Sequence, residues 1–150
     1  MSAPSFQVGQ TRVAVVVEQL SRTQLVQYAG ASGDYNPLHS DEVYATQAAG
    51  HRSVFAHGML TMGATARVVT DWVGDGNLLR YGVRFLRQVW PGDRLTATAT
   101  VTEVRDDRTG RVVEIAVVTI NQDGAEVVTG YATAKVGIHR EEADAGQAPA

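Results

Sequence analysis

Cysteine is missing altogether from the 150 residues, and with it go a disulfide framework, a thiolate zinc site and a cysteine nucleophile. Long hydrophobic runs are missing as well. No window approaches the roughly 18 consecutive apolar residues of a membrane-spanning helix, and the opening MSAPSFQVGQTR lacks the apolar core of a signal peptide. A cytoplasmic location is the expectation. An excess of basic residues is also lacking: 13 Lys and Arg stand against 16 Asp and Glu, a formal net charge of −3, which offers no cationic field to nucleic acid. What remains is an ordinary globular composition, 44% apolar and 19% charged, at a length suited to one domain.

Several elements can be read from pattern. Arg12 to Val17 is short and β-branched, so it predicts a strand. Ser21 is placed to cap a helix over Arg22 to Ala29, with Gly30 expected to end it, and Asp41 to Ala48 predicts another short helix. Gly58 to Val73 is apolar or small almost all the way round, with charge only at Arg67 and Asp71, which predicts a buried helix with one solvent stripe and a stop at Gly74.

The second half changes period. Leu95, Ala97, Ala99 and Val101 alternate with Thr96, Thr98, Thr100 and Thr102, the repeat of a strand with one dry and one wet face. Leu78 to Leu86, Arg111 to Ile120 and Glu126 to Val136 predict further strands, joined by the turn signals Pro91-Gly92-Asp93, Thr109-Gly110 and Asp123-Gly124, and therefore antiparallel. Small residues on one face of the last strand, Gly130, Ala132 and Ala134, suggest close approach of a helix to a sheet curved around it. Residues 1–137 are expected to form the domain, and the polar 138–150 a disordered tail.

The chemistry concentrates in GDYNPLHSD, residues 33 to 41. Pro37 keeps the residue before it out of helical geometry, Asn36 can bond nearby main chain and Gly33 can take positive φ, so this bend can be irregular yet stiff. Such a bend can aim the Asp34 carboxylate and the His39 imidazole at one water molecule, one as general base and the other as general acid. The same pattern also makes a plain polar turn with no chemistry. Gly58 would place a backbone N–H at the N-terminus of the long helix, where the dipole amounts to about half a positive charge and could stabilise a developing oxyanion. His57 reads either as a main-chain-bonding histidine near that cap or as a proton carrier. His39, His51 and His57 show no metal-ligand spacing, and no metal is expected. Gly30-Ala31-Ser32-Gly33-Asp34 lacks the final glycine of a nucleophile elbow, and no dinucleotide fingerprint is present.

Tyr28-Ala29-Gly30-Ala31-Ser32-Gly33-Asp34-Tyr35-Asn36-Pro37-Leu38-His39, followed by Ala56-His57-Gly58-Met59-Leu60, resembles the hydratase 2 motif of the MaoC-like, (R)-specific enoyl-thioester hydratases. Val83-Arg84-Phe85 and Pro91-Gly92-Asp93 follow in the family's order, so the likeness covers roughly residues 6 to 137. The phrases Ala56 to Gly63 and Val69 to Asp75 further resemble the short 3-hydroxyacyl-acyl carrier protein dehydratase subunits of mycolic-acid-type elongation. The resemblance implies an α+β hot-dog fold, an antiparallel sheet wrapped around a long central helix. It implies a homodimer, or a heterodimer with another hot-dog subunit, with sites near the subunit interface.

By position, Asp34 and His39 become the dyad that grips water, and the Gly58 amide polarises the thioester carbonyl. Asn36 and His57 join the substrate-binding set. Arg80 and Arg84 alternate with Tyr81, Val83 and Phe85, which places those three on the core side of the strand and both arginines on the opposite face, where Arg84 reads either as a contact for carrier phosphates or as part of a solvated basic edge. The implied reaction is reversible hydration of trans-2-enoyl thioesters to (R)-3-hydroxyacyl thioesters on coenzyme A or acyl carrier protein, in fatty-acid-type metabolism, with no metal or redox cofactor. A hot-dog thioesterase, or a subunit that needs a partner for activity, are the alternatives.

Overall fold

The structure is a computed structural model and describes residues 6–107 and 110–136. The expected tail 138–150 and part of the Thr109-Gly110 turn lie outside the described residues. The strands are β1 (Thr11–Val17), β2 (Leu78–Phe85), β3 (Leu95–Asp107), β4 (Gly110–Ile120) and β5 (Glu126–Val136), and the helices α1 (Arg22–Ser32) and α2 (Gly58–Val73). The strands form one sheet of order β1-β3-β4-β5-β2 with every neighbouring pair antiparallel. β3, β4 and β5 are a meander, as their turns predict, whereas β1 and β2 join its two edges from distant parts of the chain.

The dry face of β3 is as the alternation predicts: Leu95, Ala97, Ala99 and Val101 are all buried. Ala97, Ala99 and Val101 meet α2 through Val68, Val69 and Val73, with Ile115 of β4 and Ala132 of β5 completing the core, while Leu95 packs in a second cluster. Helix α2 thus lies across the concave side of the sheet in the hot-dog arrangement. Burying side chains of this size contributes about 1.5–3 kcal/mol each before the entropy of ordering is set against it. That second cluster, which also includes Leu20, Leu25, Ala45, Val54 and Val89, seats α1 and the loop before α2 against the end of the sheet.

Helix α2 is not buried all round. Its dry stripe runs Thr61, Thr65, Val68, Val69, Val73, while Met59, Gly63, Arg67 and Asp71, each four residues on, are exposed. The solvent stripe expected from Arg67 and Asp71 therefore continues to the helix start. Thr65 is tolerated inside because its hydroxyl shares a 2.7 Å hydrogen bond with that of Thr119 on β4. Tyr81 of β2 donates to the Met62 carbonyl at 2.9 Å, and burial pushes its phenol up to about 12. Gly74 caps the helix at φ 89.

Two expectations from glycine need correction. Helix α1 runs past Gly30 and ends at Gly33, whose φ of 74 and N–H bond to the Ala29 carbonyl close its last turn. Gly30 sits inside the helix, which continues through Ala31 and Ser32. Gly130 is required by its neighbour strand and not by a helix: a Cβ there would strike the Gly82 carbonyl oxygen and come within 3.0 Å of Val83 on β2. Gly82 in turn leaves room for the Tyr131 ring. Among the described residues no helix is long and apolar enough to cross a membrane.

Candidate active site

The site begins at the end of α1. Ser21 builds a full capping box with Gln24 at the helix start, and Gly33 at its far end turns the chain so that Asp34 leaves the helix. Three short bonds then stiffen the bend. The Asp34 N–H donates to Ser32 Oγ at 3.2 Å, the Asn36 N–H to Asp34 Oδ1 at 3.2 Å, and the Leu38 N–H to Asn36 Oδ1 at 3.0 Å. Pro37–His39 forms a single tight helical turn with proline at its start. Asn36 thus spends its side-chain oxygen on main chain, as its type suggests, and shapes the bend.

The loop between this turn and α2 supplies the other half. It contains the π-helical turn Tyr44–Ala48 in place of an ordinary short helix. Glu42 pins it, accepting from Arg22 at 2.6 Å, Ser53 Oγ at 3.1 Å and the Val54 N–H at 3.2 Å. The Arg22 guanidinium, then the Val54 amide, hold the Glu42 carboxyl below its ordinary value. So anchored, the loop delivers Phe55, whose carbonyl oxygen lies 2.7 Å from His39 Nδ1. A carbonyl can only accept, so Nδ1 carries the proton and Nε2 keeps its lone pair. The imidazole is half-buried, and that burial lowers its pKa from the ordinary 6.5. The Phe55 bond opposes the shift, His57 adds to it and Asp34 opposes it.

His57, immediately before α2, is buried at 2% exposure. Its Nε2 donates to the Asp34 main-chain carbonyl at 3.0 Å. Its ring stacks on that of His39 with centroids 3.8 Å apart and 28° between the planes. It bonds main chain as one reading of its place before the helix proposed, though the bond reaches back to the dyad loop. A carboxylate oxygen of Asp34 and one nitrogen each of His39 and His57 lie within 4.8 Å of one another.

These three could be read as metal ligands, but the stacking argues against it. A metal binds in the plane of an imidazole at about 2.0–2.1 Å, and an ion shared by two stacked rings would lie well out of both planes. Each ring has also committed one nitrogen to a carbonyl. The cluster suits proton transfer better. His51 stands apart, its ring edge-on to Phe55 at 4.9 Å.

Gly58 follows His57 as the first residue of α2. Among the described residues its N–H has no hydrogen-bond acceptor, so it presents a free amide at the positive end of a helix of 16 residues. The Phe85 ring lies over it: a Cβ at this position would come 3.2 Å from the ring. Phe85, expected on the core side of β2, is half-exposed. A cavity of about 300 Å³ opens here, lined among others by Phe55, Gly58, Thr61, Phe85 and Arg87. It touches the site through Phe55 and Gly58, while Asp34 and His39 are not in its wall. Arg84 is exposed on β2, opposite Thr129, and does not line the cavity; Arg87 does. Phe55 and Arg87 escaped the reading of pattern, because nothing local distinguishes them from core or surface residues.

A family model for the MaoC-like domain matches residues 5–123, and the (R)-specific enoyl-CoA hydratase of Aeromonas caviae is 33% identical over 138 residues, 91% of this chain and 99% of that protein. The chain belongs to the MaoC-like domain family. Among its relatives is 3-hydroxyacyl-thioester dehydratase Y of Mycobacterium tuberculosis, 40% identical over 75 residues, which are 48% of this MaoC-like chain and 26% of that longer protein. The solved structure of the (R)-hydratase from A. caviae superposes with a TM-score of 0.78 at 28% identity, covering 89% of this chain and 98% of that one. The hot-dog fold and the family implied by the motif are both borne out.

Proposed function

We propose that this chain is a hydro-lyase that adds water reversibly across the double bond of a trans-2-enoyl thioester to give the (R)-3-hydroxyacyl thioester. The observation that carries the reading is the convergence of the Asp34 carboxylate and the His39 imidazole, within 4.8 Å of each other and of His57, the residue that directly precedes the N-terminal amide of α2. Its relatives' names, hydratase and thioester dehydratase, support the same chemistry.

The tautomer supports an assignment of roles. With Nδ1 held by Phe55, His39 Nε2 enters the reaction as an acceptor and can return to the α-carbon only a proton it has first received. Water sits between Asp34 and Nε2. As its oxygen bonds to the β-carbon, one proton passes to the dyad, the π electrons move towards the thioester oxygen, and the Gly58 N–H steadies that charge. The proton then goes to the α-carbon on the same face. Hydrogen and oxygen of one water are consumed and nothing is oxidised, so the proposed reaction calls for neither a metal nor a redox cofactor. The carrier is coenzyme A or acyl carrier protein, the assembly a dimer with itself or with another hot-dog subunit, and the location the cytoplasm.

The test is loss of enoyl absorbance when the purified chain meets crotonyl-coenzyme A, beside Asp34→Asn and His39→Ala. Each substitution is expected to cost roughly 10²–10⁴-fold in rate with the fold retained and no free thiol released. Unchanged turnover in either variant would refute the dyad, and thiol release would replace hydration by thioester cleavage.

A further inference from the structure

One buried polar atom near the site is not explained by packing. Among buried side-chain nitrogens and oxygens of the described residues, only His57 Nδ1 has no hydrogen-bond partner. A buried ring that leaves an acceptor unpaired is unfavourable, and an apolar residue would fill the same space without that cost. The ring stays because of what its other atoms touch. Nε2 bonds the Asp34 carbonyl, one face lies on His39, the Tyr28 ring stands tilted against it at 4.9 Å, and the next peptide carries the Gly58 amide. No other residue described here joins all three parts of the site.

We propose that His57 is a positioning residue: it locks the Asp34 peptide, the His39 ring and the N-terminus of α2 into one rigid unit, and because its Nε2–H is committed to the Asp34 carbonyl, that nitrogen does not compete for the reacting water's protons. This rests on the hydratase reading above. The His39 ring meets Asp34 from the bend after α1, the Phe55 carbonyl from the loop, and His57 from the start of α2, and these are the groups that act on its charge. Burial first, and then His57, hold the proton off, while the Phe55 carbonyl and then Asp34 favour it. Removing the second imidazole should therefore let His39 protonate at higher pH.

Two variants separate the contacts. His57→Phe keeps a ring against His39 but cannot donate to Asp34; His57→Gln places an amide N–H near the Nε2 position but has no imidazole. With crotonyl-coenzyme A, His57→Phe is expected to lose about 10²-fold in kcat with KM unchanged, the scale of a small misplacement of reacting groups. His57→Gln should recover part of that loss, with the acid limb of its kcat profile moved to higher pH. The His39 ring proton, followed by NMR titration, should show the same upward move without any turnover. Wild-type kcat and an unmoved acid limb in both folded variants would overturn the proposal, as would losses that merely follow the fraction unfolded. An inactive wild type would refute the hydratase reading instead, while the NMR shift would still test His57.

Discussion

Thr65 and Thr119 illustrate what single residues contribute. Their shared bond is fully buried, joining α2 to β4 across 54 positions of sequence. Replacing Thr65 by Val keeps the volume but strands the Thr119 hydroxyl, so unfolding free energy should fall by about 1–3 kcal/mol, whereas the double replacement of both threonines by Val should be close to neutral. Denaturant unfolding of the three proteins measures this. At this scale the sequence was most legible where residue type and local geometry coincide: Asn36 bonds nearby main chain, as its type suggests, and Gly58 stands at the first position of the long helix. His57 was open because its partner lies 23 residues away, and Phe55 was invisible because it acts through its carbonyl, which every residue possesses.

Among the elements, α1 shows why boundaries are harder than existence. Ser21 announces its start by a local bond that the sequence carries within three residues. Its end was misplaced because Gly30 and Gly33 look alike in sequence, and only backbone geometry separates them. Gly33 has φ 74, while a Cβ at Gly30 meets nothing within 4 Å in ordinary helical backbone. Gly30→Ala should therefore stabilise the protein by up to about 1 kcal/mol. Gly33→Ala should destabilise it by about 1–2 kcal/mol and lower turnover as well, since Asp34 follows directly. Thermal unfolding beside the crotonyl-coenzyme A assay checks both, and equal effects at the two positions would contradict the assignment of the helix end.

For the whole molecule, the lowered pKa of His39 links the site to stability. Because the folded state holds this imidazole neutral to a lower pH than the unfolded chain does, the unfolded chain takes the proton first as pH falls through about 6.5. Stability is therefore unaffected by this group above that value and declines below it, until the folded state protonates too. His39→Gln should remove that component, so the drop in unfolding free energy between pH 8 and pH 5 should be smaller in the variant than in the wild type. A drop of the same size in both would show that the His39 environment is not what the geometry describes.

By itself the sequence determined the strands from their period of two, the central helix from its length and small side chains, and the Asp34 and His39 bend from turn chemistry; these depend on neighbours within a few residues. Tertiary structure alone decided that β1 and β2 close the two edges of the sheet, that Gly130 faces Gly82, and that Phe55 and His57 come to rest on His39. Those contacts form between segments far apart in the chain, where the backbone and its packing, and not the local pattern, select the partner.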